Sequence, residues 1–584
     1  MNFKNYNLSI KNQLIILLIF AFGLNLNTLF NDYAIDDVVV LVGNSLVKQG
    51  IKGIPKILST ESFYGYEKIE NELPGGRYRP LALVLFAFEY QFFGINPFVS
   101  HLINVLLFTL LVALLFRILQ AYVFREQHKY LAFITCLLFA AHPIHTEVIA
   151  NVKSRDELIT FILLLVSSFT FIKYSKKHSF WMLLSGLLCF FLALLTRESA
   201  APFIAIVPLI SYFFFNQSLK RSLLFSVPLV AVFIIYMAIR LLVVGFHMTS
   251  ENNIMNAPFL YASHTEAFAT KIFLIIKYLW LLVFPHPLSF DYGYNETPYI
   301  DISSLTFIFS FLLLLGLIAY AVFTFRRRSL FSFTILFFMM TIFLFSNLII
   351  DIGAPLSERL LFQPSIAFCV VLAVFYLKAK ARLILLANSA LILILLLYSA
   401  KTISRNAEWK NNETLCFTDV LIAPNSVRTN QYAAHRYLIK AEAEINKELK
   451  ESYFKMAISY DEKALKLFPH NQSAYRDMGS AYLGLNDYFK AADNWMQVYK
   501  LNRSDTAVKK QIDIISDLLY NEGNKKYKTG DIDGAIKHYT KAVELNESNA
   551  DAWHNMSICY YKIHDTINGN IAKQYVIMLS AKNH

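Results

Sequence analysis

The chain has 584 residues, 56% of them hydrophobic, and a formal net charge of +12 at pH 7. A mean hydropathy of +0.43 excludes an ordinary soluble enzyme of this length. The excess Lys and Arg falls in short turns between apolar runs, not along one stripe, which excludes a nucleic-acid partner and marks cytoplasmic loops.

Apolar runs near the ~20 residues that a spanning helix requires recur up to residue 400. They predict about eleven spans, near 13–30, 98–121, 130–144, 157–174, 180–195, 200–215, 222–245, 304–325, 330–350, 357–377 and 383–400. Lys4 and Lys11 precede the first run as in a signal peptide, but the run is long and no small-residue cleavage site follows, so it is expected to be retained. Basic turns at Arg125 to Lys129, Lys173 to His178, Lys220-Arg221, Arg326 to Arg328 and Lys378 to Arg382 put the N-terminus in the cytoplasm and loop 31–97 outside. The runs at 268–284, with Lys271 and Lys277, and 81–93, with Glu89, are expected to lie along the membrane or to re-enter it. Cys136, Cys189, Cys369, Cys416 and Cys559 form no CxxC pair and read as packing residues.

Composition changes near residue 401, dividing the chain into a membrane domain at 1–400 and a polar helical domain at 401–584. In the second, Ala464-Leu465-Lys466-Leu467-Phe468-Pro469 is echoed by Val498-Tyr499-Lys500-Leu501-Asn502 and Ala542-Val543-Glu544-Leu545-Asn546. Asn486-Asp487-Tyr488 is echoed by Gly530-Asp531-Ile532. A period of about 34 residues with small residues at the crossings predicts three to four tetratricopeptide repeats, broken by an irregular spacer near 503–517. Such a stack offers a groove for an extended peptide. The fold class is thus all-α: a polytopic membrane domain followed by an α-solenoid, here expected on the extracytoplasmic side.

Ionisable residues collect at the outer ends of the spans. Asp32, Asp36 and Asp37 follow the first, with Arg77 and Arg79 later in the same loop. His101 and Asn104 open the second. His142, His145 and Glu147 precede Arg155, Asp156 and Glu157; Arg197-Glu198 and Glu358-Arg359 follow later. Charges held at a membrane face default to a functional site. His142 and His145 read either as metal ligands or as a helix-end cap or hydrogen-bonded pair; the cap or pair is the expectation, and no metal site is assigned. Glu358-Arg359, or Arg155 with Asp156 or Glu157, would be self-neutralising pairs in a purely structural reading.

Acids and arginines gathered outside a membrane suit a lipid-linked sugar donor, whose polyprenyl tail stays in the bilayer while its phosphate sits at the interface. Arginines bind such a phosphate bidentately and stabilise it as it leaves; Arg79, Arg155 and Arg359 are the candidates. A carboxylate takes the acceptor hydroxyl's proton, with inversion in one displacement. Asp36 is the candidate base, and Asp37 orients it or the acceptor.

Tyr33-Ala34-Ile35-Asp36-Asp37, Tyr78-Arg79-Pro80-Leu81, His101-Leu102-Ile103-Asn104, His142-Pro143-Ile144-His145-Thr146-Glu147 and Ser357-Glu358-Arg359-Leu360-Leu361 resemble the transmembrane and tetratricopeptide-repeat O-mannosyltransferases. The resemblance covers nearly the whole chain, domain order included. It implies a GT-C glycosyltransferase with Asp36 at the catalytic position, mannose as the sugar, a dolichyl or undecaprenyl phosphate donor, and Ser or Thr acceptors on a polypeptide docked by the repeats. A divalent cation stays open. Two positions depart from the family pattern: Phe108, where a polar residue is frequent, and Arg197-Glu198, where Lys-Glu is common. Fewer repeats follow than in animal members. Competing expectations are a glycan or lipid acceptor on the same fold, a membrane-anchored scaffold without catalysis, and a transporter, which the clean span centres disfavour.

Overall fold

The computed structural model describes residues 8–66, 76–124, 128–245, 254–349 and 351–582. Lys4 and residues 125–127 of one basic turn lie outside the described residues. The chain forms two compact units, Met1–Ala423 and Pro424–His584. No strand occurs among the described residues.

In the first unit the helices are α1 (Ile10–Leu24), α2 (Ile54–Leu58), α3 (Pro80–Phe93), α4 (Pro97–Ile118), α5 (Leu131–Ala141), α6 (Thr146–Ala150), α7 (Arg155–Lys177), α8 (Phe180–Thr196) and α9 (Phe203–Phe214). There follow α10 (Leu219–Leu223), α11 (Ser226–Val244), α12 (His264–Val283), α13 (Leu305–Phe325), α14 (Leu330–Phe343), α15 (Ser365–Lys380), α16 (Ile384–Glu408) and α17 (Asn412–Ile422). Each of the eleven expected spans falls on one of these helices.

Among the described residues, six helices are long and apolar enough to cross a membrane: Ile10–Phe30, Pro97–Val123, Val152–Lys177, Leu219–Val244, Leu305–Phe325 and Ile384–Glu408. The third expected span is broken: Leu131–Ala141 and Pro143–Ala150 are bent by 57° where Pro143 cannot continue the amide ladder. Shorter apolar helices fill other expected positions, including Phe180–Thr196, Glu198–Phe214 and Leu330–Phe343. α15 begins at Ser365, later than the expected 357, because Ser357 is extended and Glu358–Leu361 forms a 3₁₀ turn ahead of Pro364. The core packs Phe108, Phe139, Phe161, Phe190 and Phe362 between α4, α5, α7, α8 and α15.

The hydropathy change near 401 falls inside α16, which runs unbroken to Glu408. Arg405, fully buried, then pairs with Asp419 of α17 at 2.6 Å, tying that helix into the first unit. The first compact unit therefore ends at Ala423, beyond the composition boundary.

The second unit is four antiparallel helix pairs: α18 (Val427–Ala443) with α19 (Lys447–Leu467), α20 (Gln472–Gly484) with α21 (Tyr488–Leu501), α22 (Thr506–Lys528) with α23 (Ile532–Leu545), and α24 (Ala550–Lys562) with α25 (Thr566–Lys582). Buried Ala457, Ala481, Ala491, Ala535, Ala542 and Ala552 let the axes approach. A Cβ on Gly523 would stand 2.6 Å from the Tyr539 ring, so only glycine fits that crossing. The echoed Asn486-Asp487 and Gly530-Asp531 share one job. Asn486 and Gly530 take positive φ, and the following Asp caps the next helix, accepting from the amides of Lys490 and Gly534. The region 503–517 is not irregular. It holds the first turns of α22, which is longer than α20 and so shifts the repeat register. The protein is thus an all-α, multi-pass membrane chain with a C-terminal tetratricopeptide solenoid.

Candidate functional site

The loop after α1 is held in place by residues far away in sequence. The Asp32 amide donates to the Lys410 carbonyl at 2.7 Å, and the Tyr33 hydroxyl meets Ser100 Oγ at 2.9 Å. Ile35 sits at φ 45°, in the left-handed region that a β-branched residue rarely adopts. Its amide donates to Asn412 Oδ1 at 2.6 Å. Such backbone costs of order 1–3 kcal/mol and persists only where its surroundings enforce it. The next residue is Asp36.

Asp36 uses one oxygen for two cations. Its Oδ2 lies 2.6 Å from Lys153 Nζ and 3.1 Å from Arg359 Nη1. Among the described residues Oδ1 makes no hydrogen bond, and the side chain is 30% exposed. Burial would raise its pKa, but Lys153 and Arg359 outweigh burial and hold the carboxyl well below the usual range. Asp37 differs. It is fully buried, accepts the Ala34 amide at 3.0 Å and the Lys153 amide at 2.7 Å, and so fastens the loop to the chain before α7. Burial pushes its pKa up to about 7, against the two amides and with help from the charge of Asp36.

Arg359 also reaches Glu147 of α6. Its amide donates to Glu147 Oε2 at 2.9 Å, while its Nε stands 3.5 Å from Oε1 and makes no hydrogen bond. Glu358 turns the other way, accepting the Ser289 amide at 2.6 Å and the Tyr292 hydroxyl at 2.8 Å. The two neighbours are therefore not a self-neutralising pair.

Arg79 contacts Glu198 at 2.8 Å and Asp156 at 3.3 Å, and Arg197 pairs with Asp156 at 2.8 Å and Glu157 at 2.8 Å. Arg77, partly buried, lies over the Phe63 ring and has no ion pair among the described residues. Burial first, then the charges of Arg79 and Arg359, lower its pKa to about 10; Glu198 and Asp36 act in the opposite sense. Arg77 thus stands within range of both clusters.

Arg155 is a correction to the sequence reading. It pairs with neither Asp156 nor Glu157 but with Glu89, and also donates to Asn104 Oδ1 at 2.7 Å and the Ser100 carbonyl at 2.9 Å, over the Phe86 ring. At 3% exposure it is committed to joining α3, α4 and α7 and is closed to a phosphate. His101 is buried with Nε2 3.4 Å from the Asp32 carbonyl. His142 caps the break before α6: Nδ1 accepts the Ile144 amide at 3.2 Å, and Nε2 meets the Leu282 carbonyl at 2.9 Å. His145 meets Ser365 Oγ at 2.9 Å among Phe139 and Phe362. Among the described residues no group of three His, Cys, Asp or Glu could hold a metal ion.

Of the residues singled out in the sequence, Asp36, Asp37, Glu147 and Arg359 converge, and Arg79 joins the neighbouring cluster. His101, His142, His145, Arg155 and Glu358 serve other contacts. Lys153 was missed. It lies between α6 and α7, just before the charged run Arg155-Asp156-Glu157, and only the fold shows that it faces Asp36.

Residues 523–563 match the family described as TPR repeat. The chain is 23% identical to Protein O-mannosyl-transferase TMTC3 of Mus musculus and 24% identical to that of Homo sapiens, in each case over 92% of this chain and 64% of the relative. It is also 24% identical to Protein O-mannosyl-transferase F38B6.6 of Caenorhabditis elegans, over 69% of this chain and 56% of that protein. The chain thus spans about two thirds or less of the length of the curated relatives it matches. The crystal structure of MamA aligns with 32% of the chain at 17% identity and a TM-score of 0.18, too loosely to bear on the fold. Residues and domain order agree with these sequence matches: the chain is similar to the TMTC transmembrane and tetratricopeptide-repeat proteins along most of its length.

Proposed function

We propose that the chain is a GT-C-type inverting glycosyltransferase that moves a sugar, mannose by likeness to its relatives, from a polyprenyl phosphate to Ser or Thr hydroxyls of an extracytoplasmic protein. One observation carries this reading: Asp36 projects from an enforced loop with one oxygen unbonded and the other flanked by Lys153 and Arg359. The acceptor oxygen attacks the anomeric carbon from the face opposite the phosphate. The bond from that carbon to the phosphate oxygen breaks, and polyprenyl phosphate leaves with the electron pair. The acceptor's proton passes to Asp36 Oδ1. Lys153 and Arg359, with Arg77 and Arg79 nearby, stabilise the charge that grows on the leaving phosphate. Asp37 sets the loop, and Glu147 sets Arg359. The N-terminus is cytoplasmic and the site and repeats face the periplasm or ER lumen. The acceptor chain docks on the repeats, where an open cleft of about 470 Å³ mixes Glu451, Glu462 and Asp487 with Lys455, Lys490 and Tyr482.

The test is transfer from a radiolabelled polyprenyl-phosphate mannose to a Ser/Thr peptide by the full chain in lipid. Asp36→Asn is expected to lower the rate about 10²–10⁴-fold, the worth of a positioned base. Transfer at the parent rate would remove Asp36 from the chemistry.

A further inference from the structure

The proposed reaction needs a phosphate held by cations and a carboxylate free to take a proton. The structure gives both tasks to groups that are already bound to each other. Among the described residues Lys153 has one ion-pair partner, Asp36, and Arg359 shares itself between Asp36 and Glu147 while its Nε–H stays unbonded. Both cations remain partly open, at 12% and 23% exposure, beside the 3% of Arg155. Arg77 adds a third cation without a carboxylate of its own among the described residues. Lys153 and Arg359 thus meet on one oxygen of Asp36, and Arg77 acts on it only at longer range.

We infer that Lys153 and Arg359 form an exchangeable anion site, which the Asp36 carboxylate occupies and which the phosphate of a lipid-linked donor takes over on binding. This rests on the donor reading above. A glycosyl phosphodiester carries one negative charge and the departing monoester nearly two. It therefore competes for these cations increasingly well as the reaction proceeds. The exchange also has a consequence for Asp36. Two cations hold its proton affinity far down. Once they turn to phosphate, the carboxylate regains basicity while a donor is in place. Donor binding and activation of the base become one event, and by reciprocity Asp36 opposes phosphate binding as much as phosphate strengthens the base.

That reciprocity gives a test that a base-only role fails. The full chain in detergent is titrated with farnesyl phosphate, with farnesol as the control without phosphate and inorganic phosphate as the control without lipid. Asp36→Asn and Asp36→Ala are expected to bind farnesyl phosphate about fivefold or more tightly than the parent, although the same changes are expected to lower transfer about 10²–10⁴-fold. Lys153→Met is expected to weaken it about tenfold or more. A lipid headgroup as the source predicts far weaker binding of inorganic phosphate; equal binding of both would make the site a free-phosphate site and overturn the donor assignment. Unchanged or weaker binding by both Asp36 variants, in a parent that binds and transfers, overturns the exchange and leaves the transferase standing. No binding by parent or variants overturns the anion site together with the donor reading.

Discussion

Lys153 and Arg155 stand two positions apart, yet the fold uses them in opposite ways. Arg155 is enclosed with Glu89, Asn104 and Ser100 and stacks on Phe86. Lys153 touches one carboxylate, keeps part of its surface, and joins a cluster whose bonds are incomplete. A satisfied buried charge serves architecture, and an unsatisfied one at a membrane face is available for ligands. The difference is remaining hydrogen-bonding capacity, which residue type does not reveal.

Paired substitutions sharpen this contrast. Arg155→Met strands Glu89 in the interior and is expected to cost about 3–5 kcal/mol of stability. Lys153→Met leaves Asp36 its Arg359 partner and part of its solvent contact, so it is expected to cost less than Arg155→Met while losing most transfer. Melting curves of the two variants in detergent check this, and equal losses of stability would erase the distinction between the clusters.

A smaller effect is expected where the loop is held. Asn412→Ala removes the acceptor for the Ile35 amide and is expected to lower transfer about tenfold by misplacing Asp36. Ile35→Gly in that background is expected to recover much of the rate, since glycine enters the left-handed region freely. Rates of the single and double variants decide the matter, and absence of recovery would mean that Ile35 geometry does not set Asp36.

The mildest effect concerns Asp37. Its folded pKa of about 7 lies above the ordinary 3.8, so the folded chain holds a proton that the unfolded chain has released. The stability contributed is complete below about pH 4 and is lost as pH rises through about 7. Thermal melts between pH 5 and 8 should fall across that window in the parent and flatten in Asp37→Asn. A parallel slope in the variant would assign the titration elsewhere.

Much of this was legible in the residues. Hydropathy located the helices, and the echoed turns located the repeats, because Asn486 and Gly530 meet the same backbone demand before the same capping Asp. The acid pair at 36 and 37 was found, but not the division of labour within it, which depends on which carboxylate meets amides and which meets cations. Arg155 misled because its partner, Glu89, lies on a helix distant in sequence. Lys153 stayed hidden for the same reason. The register of the third helix pair was lost because α22 gains length without changing composition.

The fastening of the first loop reaches further than one residue. Lys410 and Asn412 lie after the last apolar run, yet they clasp Asp32 and Ile35 near the opposite end of the chain. Synthesis must therefore reach past the last apolar run before the Asp36 loop can take its working shape, so a nascent chain that has not yet released residue 412 carries this carboxylate unset.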